Sequence, residues 1–496
     1  MKNIVLFIVF ISAVLLTACN DFLEEKPKSL LAPENFPSSA DDCELILGGM
    51  QSIVAGQSFA DRGLYLIAEV SSDETTVRYT KGDRYEIDFM EYTTDNQYIR
   101  WVWQSCYRII NQANILIKYL PDEDWAEPYL GAAYFYRAWM YFYLVRLWGP
   151  TIVRLEPTEA ISTEEKTVRT PESDVYNLIV DDLLKAETML PKLWTGNPAS
   201  PDDGRPTQGA AKTLLAKVYL TMAGWPVNDP SKWELASAKA KEVMDMGVYH
   251  LVDNFASLFL IANKNGPEHI FSFQHTEPGG SMMSIQSRPR GGGIKKGGWY
   301  LWNTQEAFMN TFANSDARKD ASFLTELVQP PYDTIPYTKF ARNSNDPPCP
   351  AIGKWQDFGR ENIYDNAKRT ALIVPVFRYA EVLLIRAEAE NEANGPNAAA
   401  YAALNEVRLR SDPTHPVPAG LSQAAFRDTV RKEWSYELAF EIKRRFNILR
   451  WGIMDDVMAN DPHASKGYQP YKKYYPIPQA EFDAGMDPDL QTEGYR

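Results

Sequence analysis

The chain predicts a mainly α fold, a scaffold of helical hairpins interrupted by one long loop-rich region that holds a few short strands. Three observations carry this reading. Apolar residues recur at helical spacing in paired segments. Small and aromatic residues repeat at matching offsets within those pairs. The periodicity then breaks down between Leu251 and Val376.

The helical segments run in order along the chain. A first helix is predicted from Ala40 to Val54 and a second from Trp103 to Leu120, making one hairpin region over about 40–120. GAAYFYRAWMYFYLVRLWGP, from Gly131 to Pro150, is apolar or aromatic on nearly every face, the mark of a helix buried among other helices. Gly149-Pro150 ends it, since glycine adopts the terminating conformation and proline cannot continue a helix. Its partner runs from Val175 to Pro191, completing 131–191. Two more pairs follow over 209–247 and 378–411. Aligning Ala138, Ala216 and Ala387 places Tyr141 and Tyr219 three positions later, and Gly224 and Gly395 eight later. Small residues facing aromatic ones let two helices approach and interlock, which is the logic of TPR-like helix pairs. Glu390 replaces the aromatic residue in the last pair and the pairs are not tandem, so the prediction is TPR-like hairpins without a regular solenoid. Tyr134, Trp139, Tyr141 and Trp148 belong to this crowded packing and are predicted core.

In the loop-rich region, about 251–376, Glu268 to Gln274 alternates like a strand. Glycines at 291–293 and 297–298, with six prolines from Pro330 to Pro350, mark ordered loops. Long loops on a rigid scaffold are disproportionately functional, so ligand contacts are expected here and over Asp73 to Trp101.

The amino terminus predicts location. Lys2 precedes an apolar run of thirteen residues, Ile4 to Leu16, shorter than the roughly 20 a spanning helix needs. Leu16-Thr17-Ala18-Cys19 resembles a bacterial lipobox, in which a thiol takes the lipid after cleavage. The expectation is a signal peptide over 1–18, lipidation at Cys19 and a single domain over 19–496. Several acyl chains on one residue give stable anchoring, since each buried CH2 contributes roughly 0.8 kcal/mol.

Composition narrows the chemistry. A net charge of −14 argues against nucleic acid, because binding phosphate requires a basic field. Aromatic side chains at 12% suit neutral ligands such as sugars or peptides. The five histidines are scattered and no C-x-x-C pair exists, so neither a metal site nor a cofactor is expected. Cys43, Cys106 and Cys349 form at most one intrachain disulfide and read most simply as buried thiols.

Ligand-binding candidates are aromatic residues on loops, because a sugar ring lays its apolar face on an aromatic plane while its hydroxyls need planar donors and acceptors. Trp299, Tyr300, Trp302 and Asn303 in GGWYLWN form the first group, the alternative being that Trp299 and Trp302 pin the loop to the core. Arg78, Tyr79, Asn96, Tyr98 and Trp101, ahead of the Trp103 helix, form the second.

Motifs spread along the mature chain resemble those of the SusD/RagB family of outer-membrane nutrient-binding lipoproteins. They comprise Cys19-Asn-Asp21-Phe22-Leu23-Glu24; Trp103, Tyr107 and Ala113-Asn114; Arg137-Ala138 with Tyr141 and Gly149-Pro150; Glu268 to Gln274; Arg378 to Leu384 with Ala387-Glu388-Ala389; and Tyr475-Pro476-Ile477-Pro478, Glu481 and Gly494-Tyr495. The resemblance implies a non-catalytic protein, lipid-anchored to the outer membrane and facing the cell exterior. It would catch oligosaccharide, or peptide as in RagB-like members, and pass it to a SusC-like TonB-dependent transporter.

One segment departs from the family pattern, with Trp434, Ile442 and Asn447 replacing its usual arginine, glycine and aspartate. Glu433, Glu437 and Glu441 remain, four residues apart on one helix face, where like charges repel. Paired carboxylates are what a glycoside hydrolase uses, provided they flank a cleft. The simpler reading is a buried row neutralised by Arg444, Arg445 and Arg450, because buried charges are normally paired. A scaffold that grips other proteins is the third possibility.

Overall fold

The computed structural model describes residues 36–77, 81–160, 167–194, 204–276, 279–291, 294, 297–329, 333–340, 349–356 and 369–496. Cys19 with its leader, Arg78 and Tyr79 lie outside the described residues.

Helix α1, Ala40–Ala55, begins where the Ser39 side chain accepts the Asp42 amide hydrogen, and Asp41 and Asp42 complement the positive end of its dipole. Helix α2, Gln97–Tyr119, starts ahead of its expected first residue, Trp103, because Asn96 caps it by accepting from the Tyr98 amide. Next come α3, Glu127–Trp148, and α4, Glu172–Met189. Thr207 caps α5, Gln208–Ala223, which leads to α6, Lys232–Asp245. Helix α7, Tyr379–Asn394, stops at Gly395, whose φ of 77° suits a residue without Cβ. Asn397 and Ser422 cap α8, Ala398–Ser411, and α9, Gln423–Leu438, and the short α10 spans Arg444–Arg450.

Successive helices pack in order from α2 through α7, and α7 also packs on α8 and α9. Residues 246–378 intervene between α6 and α7, yet these two helices are neighbours. The loop-rich region is therefore an insertion into one continuous helical array. Ala138, Ala216 and Ala387 are fully buried at its seams. A Cβ on Gly131 would fall 2.8 Å from Met189 Cβ, and one on Gly224 would fall 2.3 Å from the Arg450 carbonyl oxygen. Trp139, Tyr141 and Trp148 are core residues as predicted, and Tyr134 is half-buried against them.

Among the described residues, four two-stranded antiparallel pairs brace the insertion. Strand β1, Thr75–Val77, pairs with β3, Trp302–Thr304, in the register Val77 to Trp302. Strand β2, His269–Phe273, pairs with β4, Val374–Arg378, which runs directly into α7. Phe323–Leu324 pairs with Ala351–Ile352, and Glu326–Gln329 with Asp333–Pro336. Among the described residues, no helix is long and apolar enough to cross a membrane.

The motif residues quoted above are largely buried staples. Arg137 grips Asp182 with two hydrogen bonds of 2.8 Å and reaches the Asn114 amide oxygen. Trp148 donates to the Pro476 carbonyl and Tyr475 to the Ile67 carbonyl, each at 2.8 Å, tying the end of the chain to its beginning.

A buried polar assembly surrounds the glutamate row. Glu433 meets Arg318 and Arg408; Glu437 meets Arg318, Arg378 and Arg410; Glu441 meets Lys354 and Arg378. Glu268 joins through Arg378 and Arg410, and Asp316 through Arg318. Five carboxylates thus face five cations. The structural reading of the row fits this geometry, but the expected partners do not. Arg444 pairs with Asp73, Arg450 with Glu388, and Arg445 donates to the Lys472 and Lys473 carbonyls. The actual cations come from the insertion, β4 and α8, far away in sequence. Burial alone would raise the Glu437 carboxyl, but Arg410, Arg378 and Arg318 outweigh it and hold it well below the usual range. Ile442, standing at the family's glycine position, retains a left-handed φ of 61°, an outlier for a β-branched residue.

Candidate functional site: an aromatic and arginine face

Two sequence regions build one face. The Trp299 loop is pinned against the short helix Met283–Ser287, where Trp299 N–H donates to the Ile285 carbonyl and Leu301 N–H to that of Gln286, both at 2.7 Å. Only glycine fits before the tryptophan, because a Cβ on Gly298 would sit 2.5 Å from the Arg288 carbonyl oxygen. Trp299 itself remains half-buried, packed against the core from outside.

The rest of this group turns inward. Tyr300 takes a φ of 50° and is fully buried, donating its hydroxyl proton to the Cys349 carbonyl at 2.6 Å. Trp302 is also fully buried, its ring centroid 4.9 Å from that of Tyr65. Asn303, opposite Thr76 in the β1–β3 pair, is buried as well. The expected three-aromatic platform is thus reduced to Trp299, and the alternative of a core anchor describes Trp302.

The second group shows the same division. Asn96 is buried; beyond capping α2, its amide donates to the Asp83 carbonyl at 3.0 Å and to Glu86 at 3.1 Å. That amide is committed to structure, which corrects its assignment as a ligand contact. Tyr98 is buried and meets Trp101 edge-to-face at 5.3 Å. Trp101, like Trp299, is half-buried against the core.

Arg62, which the sequence reading missed, links the two groups. It lies on a π-helical turn, Ala60–Leu64, followed by a second, Leu66–Val70; such turns concentrate at functional sites. The register sends Asp61 inward, where it accepts from Ser281 Oγ at 2.6 Å and from the Met282 amide at 2.8 Å. Arg62 points outward, its guanidinium 5.7 Å from the Trp299 ring centroid. Its Nε donates to Gln286 Oε1 at 2.7 Å, while Gln286 Nε2 donates to the Asp61 carbonyl at 2.8 Å. Arg62 is also close to Tyr98. Burial raises the Tyr98 phenol, and the Arg84 and Arg62 cations partly offset this. Arg84 Nη1 reaches the Tyr98 oxygen at 3.4 Å. No spacing signal marks a π turn, so nothing in the sequence singled out Arg62.

The face offers two indole surfaces and planar guanidinium groups whose positions are set by buried partners. That chemistry suits a neutral ring bearing hydroxyls. The glutamate row, in contrast, is buried and saturated with cations. Among the described residues, no group of three His, Cys, Asp or Glu side chains is arranged to hold a metal ion. Cys43, Cys106 and Cys349 are buried, and burial pushes the Cys43 thiol up to about 12.

Comparison with known proteins agrees with the fold. A family model described as the SusD family matches residues 290–495. A second, described as starch-binding and associating with the outer membrane, matches residues 21–220. The chain belongs to the SusD/RagB family. Among its relatives, SusD-like protein P25 of Formosa agariphila is 27% identical, over 100% of this chain and 99% of its own. A solved SusD homolog from Bacteroides thetaiotaomicron superposes with a TM-score of 0.80 at 25% identity, covering 91% of this chain and 96% of its own. Surface glycan-binding protein A from Bacteroides uniformis shares the fold with a TM-score of 0.75 at 21% identity, over 92% of this chain and 100% of its own.

Proposed function

We propose that this SusD-like protein binds an oligosaccharide on the face formed by Trp101, Trp299 and Arg62, holds it without cleaving it, and hands it to a SusC-like TonB-dependent transporter. The observation that carries this reading is the half-buried Trp299 indole beside an arginine fixed by a buried glutamine, with the half-buried Trp101 reached through Tyr98. An aromatic plane takes the apolar face of a sugar ring, and the guanidinium supplies directed donors to its hydroxyls. The starch-binding description of the matched family and the glycan-binding name of a fold neighbour point to the same ligand class. A binding role without hydrolysis is supported by the glutamate row, which is buried and carries a full set of cationic partners. Anchoring through lipid on Cys19 would keep the face outside the cell at the outer membrane, beside the transporter's mouth.

The test is a glycan array run beside a peptide library, with the wild-type chain and its Trp299→Ala variant. Retention on oligosaccharides that the variant loses supports the proposal. Retention on peptides alone would move the ligand class to peptide, and release of shortened oligosaccharides would establish a hydrolase. Cys19→Ser should shift the protein out of the membrane fraction.

A further inference from the structure

A small cavity lies among α3, α5, α7 and the segment joining α9 to α10, on no surface used above. It measures about 20 Å³, room for one or two water-sized particles. Every residue lining it is buried except Lys443, which is half-buried. Its charges do not balance. Arg146, Lys217 and Lys443 bring three cations, and Glu381 brings the one carboxylate.

The guanidinium of Arg146 is sandwiched between two phenyl rings, 3.6 Å from the Phe142 centroid and 3.8 Å from that of Phe446. Its Nε donates to the Phe142 carbonyl, and it forms no ion pair among the described residues. Glu381 is engaged by the other two cations, 3.0 Å from Lys217 and 2.8 Å from Lys443. Lys217 also donates to Asn447 Oδ1 at 3.5 Å and lies 4.0 Å from the Trp434 ring centroid. The Arg146 guanidinium therefore lines the cavity with no carboxylate of its own, beside a Lys217 ammonium that shares Glu381 with Lys443. Buried charge without a counter-charge is strongly unfavourable. Lys217 registers this strain, since burial pushes it down to about 7 while Glu381 pulls it the other way.

We infer that this cavity is a binding site for a small monovalent anion of halide size, held by Arg146 and Lys217 as a structural counter-ion. A halide fits the volume, needs no acceptors from the protein and leaves one net positive charge, where a water molecule would leave two. The anion would sit where three helices of the array meet the segment carrying Ile442, tying that segment to the scaffold.

The experiment is melting of the full chain in sodium bromide and in sodium gluconate at matched ionic strength, with anomalous diffraction from crystals grown in bromide. The expected result is a bromide peak in the cavity beside Arg146, and a Tm that rises with bromide by about 1–2 °C per tenfold increase above its dissociation constant. Lys217→Met, which keeps Arg146 in place, should weaken the bromide dependence while leaving oligosaccharide binding unchanged. An ordered water with no anomalous signal in the cavity, or identical melting curves in the two salts, would overturn the inference.

Discussion

Replacing Arg378 with methionine removes the cation at the centre of the buried network. Its Nη1 lies 2.5 Å from Glu268 and 2.9 Å from Glu437, its Nε lies 2.7 Å from Glu441, and Nη2 donates to the Glu437 carbonyl at 2.9 Å. The other cations cannot fully substitute, because Arg410, Arg318 and Lys354 are already committed to Glu437, Glu433 and Glu441. The variant would carry one uncompensated negative charge in the interior. Breaking a buried pair from one side costs about 3–5 kcal/mol. At an unfolding entropy of ~2.1 cal/mol/K per residue, a chain of this length gains roughly 1 kcal/mol/K on melting, so Tm should fall by about 3–5 °C. The assay is differential scanning calorimetry of Arg378→Met beside Arg378→Met/Glu437→Gln. The double variant restores neutrality and should recover part of the loss. A fall under about 1 °C, or no recovery in the double variant, would refute the claim that charge balance governs this assembly.

Other outcomes follow from the same geometry. Trp299→Ala should cost about 2 kcal/mol of oligosaccharide affinity, roughly thirtyfold in Kd by calorimetric titration, with Tm nearly unchanged. Trp302→Ala, three residues beyond the site's ring, should instead cost about 3–5 kcal/mol of stability because that indole is fully buried against Tyr65. Glu74 carries a buried carboxyl raised to about 8, chiefly by burial, with Arg444 pulling it down. A raised carboxyl contributes stability below its unfolded value near 4.5 that is lost as pH rises toward 8. The wild type should therefore lose up to about 1.4 kcal/mol per pH unit across that window relative to Glu74→Gln, read from Tm against pH. Gly224→Ala should destabilise by about 1–3 kcal/mol, since its methyl group would meet the Arg450 carbonyl oxygen at 2.3 Å.

Much of the scaffold was legible in the chain because its seams are local. Ala138, Ala216 and Ala387 mark helix faces by spacing alone, and Gly149 and Gly395 end helices as sequence signals say they should. Asn96 was visible as a polar residue before an aromatic run, yet its role is a helix cap, a reading that the same signal supports equally well. The candidate site was only half legible. Spacing could not show that a φ of 50° at Tyr300 sends it and Trp302 inward while Trp299 stays out. Arg62 depends on a π turn that leaves no periodic trace. For the glutamate row, four-residue spacing correctly placed three carboxylates together. Their cations lie up to 119 residues away, as Arg318 does from Glu437, and only the tertiary fold brings them in.

The most direct measurement of the central claim is a crystal structure of the full chain with an oligosaccharide selected on the array. The account predicts a sugar ring lying on the Trp299 indole, with Arg62 within hydrogen-bonding distance of its hydroxyls and Trp101 flanking the chain. A sugar bound on another surface, with Trp299 and Trp101 left bare, would contradict it.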